Sequence, residues 1–160
     1  MYIDIMFKNK FLSFILFFTI TFTASLIGGF ATINFKEPWY SILNKPIFNP
    51  PDWIFAPVWT SLYFMMTISV WIFWHSKNRD IKTIYIYFIH LIFNTTWSVV
   101  FFVFHKLILA LIILIFLIVL IIILILRFKR VTKISAYLMI PYLLWCCFAL
   151  MLNLSLILLN

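Results

Sequence analysis

The sequence has 160 residues, of which 66% are hydrophobic and only 10% are charged, and its net charge is +8. A soluble domain carries about 25% charged residues, so this composition excludes a water-soluble fold and requires that most of the exterior faces lipid. The surplus of basic residues is then explained by membrane topology and contact with lipid headgroups, and no nucleic-acid partner is expected.

Apolar segments long enough to cross a bilayer follow one another along the whole chain. A spanning helix needs roughly 20 apolar residues. Segments that meet this requirement cover about residues 11–31, 53–74, 81–104, 107–126 and 134–159. The sequence therefore predicts an all-α integral membrane protein, a five-transmembrane-helix bundle that forms a single domain over residues 1–160.

Near the end of the first predicted span lie Gly28 and Gly29, the only two glycines in the chain. They either loosen the helix end or allow close approach of another helix, and the sequence leaves both readings open. A connection over about residues 32–52 follows. Its prolines predict an ordered but irregular loop, because proline lacks an N–H and disfavours helix in the residue before it. These prolines are Pro38, Pro46, Pro50 and Pro51.

The fourth predicted span, residues 107–126, has no polar side chain. A helix that is apolar on every side offers nothing to a polar ligand, so we expect it to contact lipid or another subunit. The basic run Arg127-Phe-Lys-Arg130, together with Lys133, is predicted to form the turn that leads into the fifth span.

The distribution of basic residues predicts the orientation of the chain. With five spans, the N-terminus and the second and fourth connections share one side of the membrane. That side holds Lys8, Lys10, Lys77, Arg79, Lys82, Arg127, Lys129, Arg130 and Lys133. The other side holds Lys36, Lys45 and Lys106. The positive-inside rule then predicts a cytoplasmic N-terminus and an external C-terminus.

The sequence lacks the residues that several kinds of chemistry require. No acidic residue lies in the middle of a predicted span, which argues against an ion-driven pump. The acids are Asp4, Glu37, Asp52 and Asp80. The sequence also lacks a P-loop, HExxH and CxxC, and the adjacent Cys146 and Cys147 are interpreted as packing residues. We therefore predict no metal site and no required cofactor.

Aromatic and amide side chains recur at helical spacing along one side of three predicted spans. The stripe in the second span consists of Phe55, Trp59 and Tyr63. The stripe in the third span consists of His90, Asn94, Trp97 and Phe101. The stripe in the fifth span consists of Pro141, Trp145, Ala149 and Asn153. If the three stripes converge, they line one cavity suited to a flat, largely apolar ligand with polar groups at its edge.

Some members of these stripes have a second interpretation. Asparagine in a membrane helix often bonds to a neighbouring helix, so Asn94 and Asn153 are either packing residues or ligand contacts. For His90, a hydrogen-bonded core position is favoured over metal ligation, because no second ligand is evident.

Three stretches of the chain are similar to the signatures of the TspO/MBR family. These proteins are also called translocator proteins, tryptophan-rich sensory proteins or peripheral-type benzodiazepine receptors. The longest stretch, residues 39–63, reads WYSILNKPIFNPPDWIFAPVWTSLY. The other two are NTTWSVVFF at residues 94–102 and PYLLWCCFALMLN at residues 141–153. Together they are spread over the chain from residue 39 to residue 153.

The resemblance implies a five-helix bundle, often a homodimer, that binds porphyrins such as protoporphyrin IX as ligand or substrate. Trp59 and Trp145 match the tryptophans that the family links to ligand contact and to slow light-dependent porphyrin breakdown. Asn94 and Ala149 match pocket positions. The residues that match the lid over the pocket are Trp39, Pro50 and Pro51.

The leading functional hypothesis is a membrane receptor or sensor that binds porphyrins, including haem-related tetrapyrroles, and similar flat apolar ligands. On this hypothesis Lys45 is a candidate partner for a porphyrin propionate. The alternatives are a carrier of tetrapyrroles or other apolar metabolites and a scaffold that acts through protein partners.

Overall fold

The protein is described by a computed structural model over residues 9–160, so Asp4 and Lys8 lie outside the described residues. Within that range, helices long and apolar enough to cross a membrane are Lys10–Phe35, Asp52–Trp74, Ile81–Val103, Leu107–Val131 and Lys133–Leu159. We refer to them as the first to fifth spans. The predicted all-α bundle of five spans is confirmed, and the chain is a multi-pass integral membrane protein.

The first span is longer than the sequence predicted. It begins after Asn9, whose Oδ1 accepts from the backbone N–H groups of Phe11 and Leu12 at 2.9 and 3.2 Å. It then continues to Phe35, beyond the predicted end at residue 31. The two glycines therefore lie inside the helix, where hydrogen bonding along the backbone is maintained on both sides. The irregular connection is correspondingly shorter than the predicted loop at residues 32–52.

The connection between the fourth and fifth spans also differs from the prediction. The fourth span continues to Val131, so Arg127 and Arg130 belong to its last turns, and only Thr132 separates the two helices. The prediction that this basic run forms a turn was wrong. Long basic side chains can extend to the headgroups from a helix end, and they favour the negative end of the helix dipole.

Basic residues of the described chain gather at the end of the bundle where the first span begins. Asp80 is the acid that accompanies them there, and it starts the third span by accepting from Thr83 N at 2.9 Å. Burial alone would raise the pKa of Asp80, but bonds from Thr83 and the nearby Arg127 lower it. The charge asymmetry fits the predicted cytoplasmic N-terminus, which remains a prediction.

The spans form a closed ring that does not follow chain order. The first span packs between the second and the third, the fourth packs against the third and the fifth, and the fifth packs against the second. The second and third spans barely touch, although they are consecutive in sequence. This order leaves the first, second, third and fifth spans around a shared interior.

The fourth span has an inner face as well as an outer one. Small and apolar residues on the inner face are buried against the third and fifth spans, and they are Ala110, Leu114, Leu117, Ile121, Leu124 and Phe128. The opposite side, which includes Ile108, Ile115 and Phe116, is exposed. The predicted contact with lipid or another subunit therefore applies only to the outward half of this helix.

Candidate functional site: an aromatic cavity between the spans

A cavity of about 980 Å³ lies among the first, second, third and fifth spans, beneath the connection that follows the first span. Its walls are largely apolar and aromatic. Most of the sequence-predicted site residues line it, namely Phe55, Trp59, Tyr63, Trp97, Trp145, Ala149 and Asn153. Residues from each of the three stripes in the second, third and fifth spans thus meet at one cavity.

The two tryptophans matched to the family site are placed by aromatic neighbours. Trp59 packs edge-on against Tyr142 of the fifth span, with ring centroids 6.2 Å apart. Trp145 packs edge-on against Phe55 of the second span at 5.9 Å. Both indoles are half-buried and belong to the cavity wall. These contacts between the second and fifth spans hold the indole planes against the cavity.

Asn94 lies behind the cavity wall. The Tyr63 hydroxyl donates to Asn94 Oδ1, and Asn94 Nδ2 donates to the Tyr142 hydroxyl at 3.0 Å. All three side chains are buried. Both ends of the amide are therefore occupied by side chains from other spans, which favours the packing interpretation of Asn94. Tyr63 connects this buried network to the cavity, because it also contributes to the lining.

His90 is fully buried and does not line the cavity. Its Nδ1 lies within hydrogen-bonding distance of the Tyr87 carbonyl, and its Nε2 has no hydrogen-bond partner among the described residues. No group of three or more His, Cys, Asp and Glu side chains that could hold a metal occurs within residues 9–160. His90 is accordingly a core residue beside Tyr87 and Tyr142.

Asn153 packs against the fourth span and also lines the cavity. The structure thus assigns it a packing role, and contact with a ligand stays a prediction. In the orientation that satisfies both groups of its amide, Nδ2 donates to Leu107 O at 3.0 Å and Oδ1 accepts from Leu111 N at 3.3 Å. This side chain therefore joins the fifth span to the fourth at the cavity wall.

The predicted lid residues lie beside the cavity opening. Trp39 stacks on His105, with ring centroids 4.2 Å apart, and does not line the cavity. Its neighbour Tyr40 does line it. Pro50 and Pro51 also lie outside the lining, just before the helical turn Asp52–Ile54 that begins the second span. In this structure they therefore shape the connection without facing the cavity.

The connection is held to the C-terminal end of the fifth span by a reciprocal pair of asparagines. Asn44 N donates to Asn160 Oδ1 at 2.9 Å, and Asn160 Nδ2 donates to Asn44 O at 3.1 Å. Nearer the cavity, the Tyr40 hydroxyl donates to Asn49 Oδ1 at 3.0 Å. Burial and the nearby Asp52 raise the pKa of Tyr40 to about 12, so the phenol keeps this proton at neutral pH.

Sequence reasoning missed the contribution of the first span and of the rim. Gly28, Phe30 and Ile33 line one side of the cavity, and Lys36, Glu37 and Asp52 lie at its rim. The glycine pair was the available signal for the first span. The charged residues gave no such signal, because they fall in or beside a connection whose path the sequence does not define. Lys45, the predicted propionate partner, lies over the Tyr40 ring at 4.7 Å and is not part of the lining.

The third span ends in a π-helical segment, Val99–Val103, next to the cavity. A wider helical turn shifts the side chains that follow it, and such segments often occur at functional sites. Here the segment places both Phe101 and Phe102 in the lining, although they are adjacent in sequence. The regular spacing used for sequence prediction identified only Phe101.

The cavity reaches the outer surface between the first and second spans. Its lining includes Phe30 and Ile33, which are 64% and 81% exposed, and the exposed Ala56 and Thr60 on the facing helix. These positions lie on the outer side of the two spans, so the opening faces the surrounding lipid, near the end of the bundle where Lys36 and Asp52 lie.

The fold and the site together define a class: five-span membrane proteins with a tryptophan-lined cavity inside the bundle, beneath a proline-rich connection. The model of the TspO/MBR family matches residues 16–159. The chain therefore belongs to the TspO/MBR family.

Similar proteins occur in archaea, bacteria and animals. The chain is 36% identical over 134 residues to the tryptophan-rich protein TspO of Archaeoglobus fulgidus, covering 83% of this chain and 87% of the relative. It is 32% identical to the tryptophan-rich sensory protein of Cereibacter sphaeroides, covering 78% of each chain. It is 30% identical to the translocator protein of Bos taurus, covering 79% of this chain and 80% of the relative.

Proposed function

We propose that this protein is a membrane receptor or sensor that binds porphyrins and similar flat apolar ligands in the cavity between its spans. The observation that carries the proposal is the pair Trp59 and Trp145 in the wall of one cavity of about 980 Å³. This volume is at the upper end of the range of roughly 300–1,000 Å³ that is typical of small-molecule pockets, as a large flat ligand requires. A relative named as a tryptophan-rich sensory protein agrees with a sensory role.

The composition of the lining supports this ligand class. The indole and phenyl groups offer flat faces for stacking, and such aromatic pairs contribute about 0.5–1.5 kcal/mol beyond the area that they bury. The charged groups of the lining, Lys36, Glu37 and Asp52, all lie at the rim. A porphyrin has the matching shape, because its ring is flat and apolar and its carboxylates lie along one edge.

A binding titration in detergent tests the proposal. Protoporphyrin IX is added to the wild type and to the Trp59→Ala and Trp145→Ala variants, and binding is followed by the absorbance of the porphyrin. We expect each substitution to raise Kd by about two- to tenfold, which corresponds to the loss of one stacking contact. The control is Trp53→Ala, because Trp53 is 74% exposed and does not line the cavity. Binding that is equal in all four proteins would contradict the proposal.

The membrane-facing opening favours a second function, movement of an apolar ligand between the cavity and the bilayer. Phe30 and Ile33 on the first span lie along this opening and leave it free of charge. Proteoliposomes loaded with an apoprotein that traps porphyrin distinguish the two functions. A carrier accelerates porphyrin entry, whereas a receptor binds porphyrin without changing the rate of entry.

A further inference from the structure

The cavity has a small set of charged residues, and they occupy one place. Among the described residues of the lining, Lys36, Glu37 and Asp52 are charged and every other residue is neutral. Lys36 follows the end of the first span, and Asp52 begins the second. All three therefore lie at the rim, where the edge of a bound ligand would meet the headgroup region.

Lys36 is neutralised by acids of the rim itself. Its ammonium group forms an ion pair with Asp52 Oδ2 and lies 3.6 Å from Glu37 Oε1. The side chain of Lys36 is 20% exposed, whereas that of Asp52 is 61% exposed. The ammonium group is thus largely enclosed by the rim, whereas its carboxylate partner is mostly exposed to water.

We propose that Lys36 binds a carboxylate of the ligand, and that this carboxylate replaces Asp52 as the partner of the ammonium group; the inference rests on the proposed function. One carboxylate replaces another, so the partly buried ammonium group keeps an ion pair throughout. Asp52 returns to water at little cost because most of it is already exposed. Removing the partner of a partly buried charge without replacing it would be unfavourable.

The arrangement also defines the class of ligand. One cation stands between two acids, so the rim offers one position for an anionic group of the ligand, beside Lys36. Lys45 does not take this role, because its ammonium group lies over the Tyr40 ring at 4.7 Å. The site therefore selects flat apolar acids with their anionic group at one edge.

The test compares protoporphyrin IX with its dimethyl ester, which has the same ring and no negative charge. We expect Lys36→Gln to weaken binding of the diacid about tenfold, the loss of one charge-assisted contact, and to leave the ester unchanged. Asp52→Asn removes the competing carboxylate, so it should tighten binding of the diacid and again leave the ester unchanged. The matched control is Lys45→Gln, a lysine of the same connection that does not line the cavity.

Binding of the dimethyl ester distinguishes a loss of the ion pair from a folding defect. Unchanged ester binding by a variant reports an intact cavity, so a loss confined to the diacid is not a folding defect. The inference is overturned, and the proposed function survives, if Lys36→Gln binds both compounds as the wild type does, weakens both equally, or weakens the diacid no more than Lys45→Gln does. A wild type that binds neither compound overturns the proposed function itself.

Discussion

Gly28 on the first span packs directly against Ser98 on the third. A Cβ atom added to Gly28 would lie 3.1 Å from Ser98 Oγ, closer than ordinary van der Waals contact. Gly29, the next residue, has nothing within 4 Å of the corresponding position. The close approach of the two helices at Gly28 decides between the interpretations that the sequence left open for this pair of glycines.

We expect Gly28→Val to destabilise the bundle by about 1–3 kcal/mol, because the larger side chain forces the first and third spans apart. Gly29→Val is the matched control and should unfold close to the wild-type temperature, since its side chain enters open space. Thermal unfolding in detergent, followed by circular dichroism, measures both. Equal melting temperatures for the two variants would contradict the packing role of Gly28.

The hydrogen bonds of the Asn94 amide lead us to expect that replacing this residue destabilises the folded protein. Asn94→Leu leaves the hydroxyl groups of Tyr63 and Tyr142 without their shared partner inside the bundle. We expect the free energy of unfolding to fall by about 1–2 kcal/mol, as for hydrogen bonds between membrane helices. Adding Tyr142→Phe to Asn94→Leu should cost less than the sum of the single changes, because both remove the same bond. A variant that keeps its stability but loses porphyrin would instead identify Asn94 as a ligand contact.

The His75 imidazole predicts a dependence of stability on pH. It lies just beyond the second span, and its Nε2 is 2.8 Å from Ser13 Oγ of the first span. Burial, with Lys10 and Arg79 nearby, lowers the pKa of His75 below its ordinary value of 6.5. The folded protein therefore favours the neutral ring, and this contribution to stability is complete above pH 6.5 and decreases as the pH falls below it.

We expect the melting temperature of the wild type to fall between pH 7 and pH 5.5 by more than that of His75→Gln. Glutamine is the suitable replacement because it can still bond to Ser13 but does not titrate in this range. Parallel pH profiles for the two proteins would assign the pH dependence to other groups.

The indoles of Trp59 and Trp145 also predict an effect of light. Indole is readily oxidised, so either residue is a candidate electron donor to an excited porphyrin in the cavity. We expect Trp59→Phe and Trp145→Phe to retain porphyrin binding. Light-dependent breakdown of the porphyrin should stop in both variants, which is measured by the porphyrin absorbance under illumination. Undiminished breakdown in both variants would contradict a role for these indoles in photo-oxidation.

Helical spacing and apolar length were sufficient to predict the five spans and the aromatic residues that the second, third and fifth spans contribute to the cavity wall. The stripe Phe55, Trp59 and Tyr63 lines the cavity because residues four apart lie on one side of a regular helix. The spacing could not identify Phe102, because the π-helical segment Val99–Val103 changes the direction of the side chains that follow. Regular spacing carries no information about a local change in helix type.

The rim could not be predicted for a different reason. Lys36 and Asp52 are 16 residues apart, and their contact depends on how the connection folds back between two spans. Lys45 was predicted instead because it is a basic residue of the same connection, and the sequence does not show which lysine of that connection reaches the cavity. Similarly, the ends of the first and fourth spans were misplaced because polar residues at a helix end can remain helical while reaching the headgroups.

The order of the spans around the ring has a consequence for synthesis. The fifth span is synthesised after the other four, and it supplies Trp145, Ala149 and Asn153 as well as the contact that closes the ring against the second span. A nascent chain that has inserted four spans holds Trp59 beside an unfinished wall. The cavity is therefore complete only once the fifth span has been inserted next to the second.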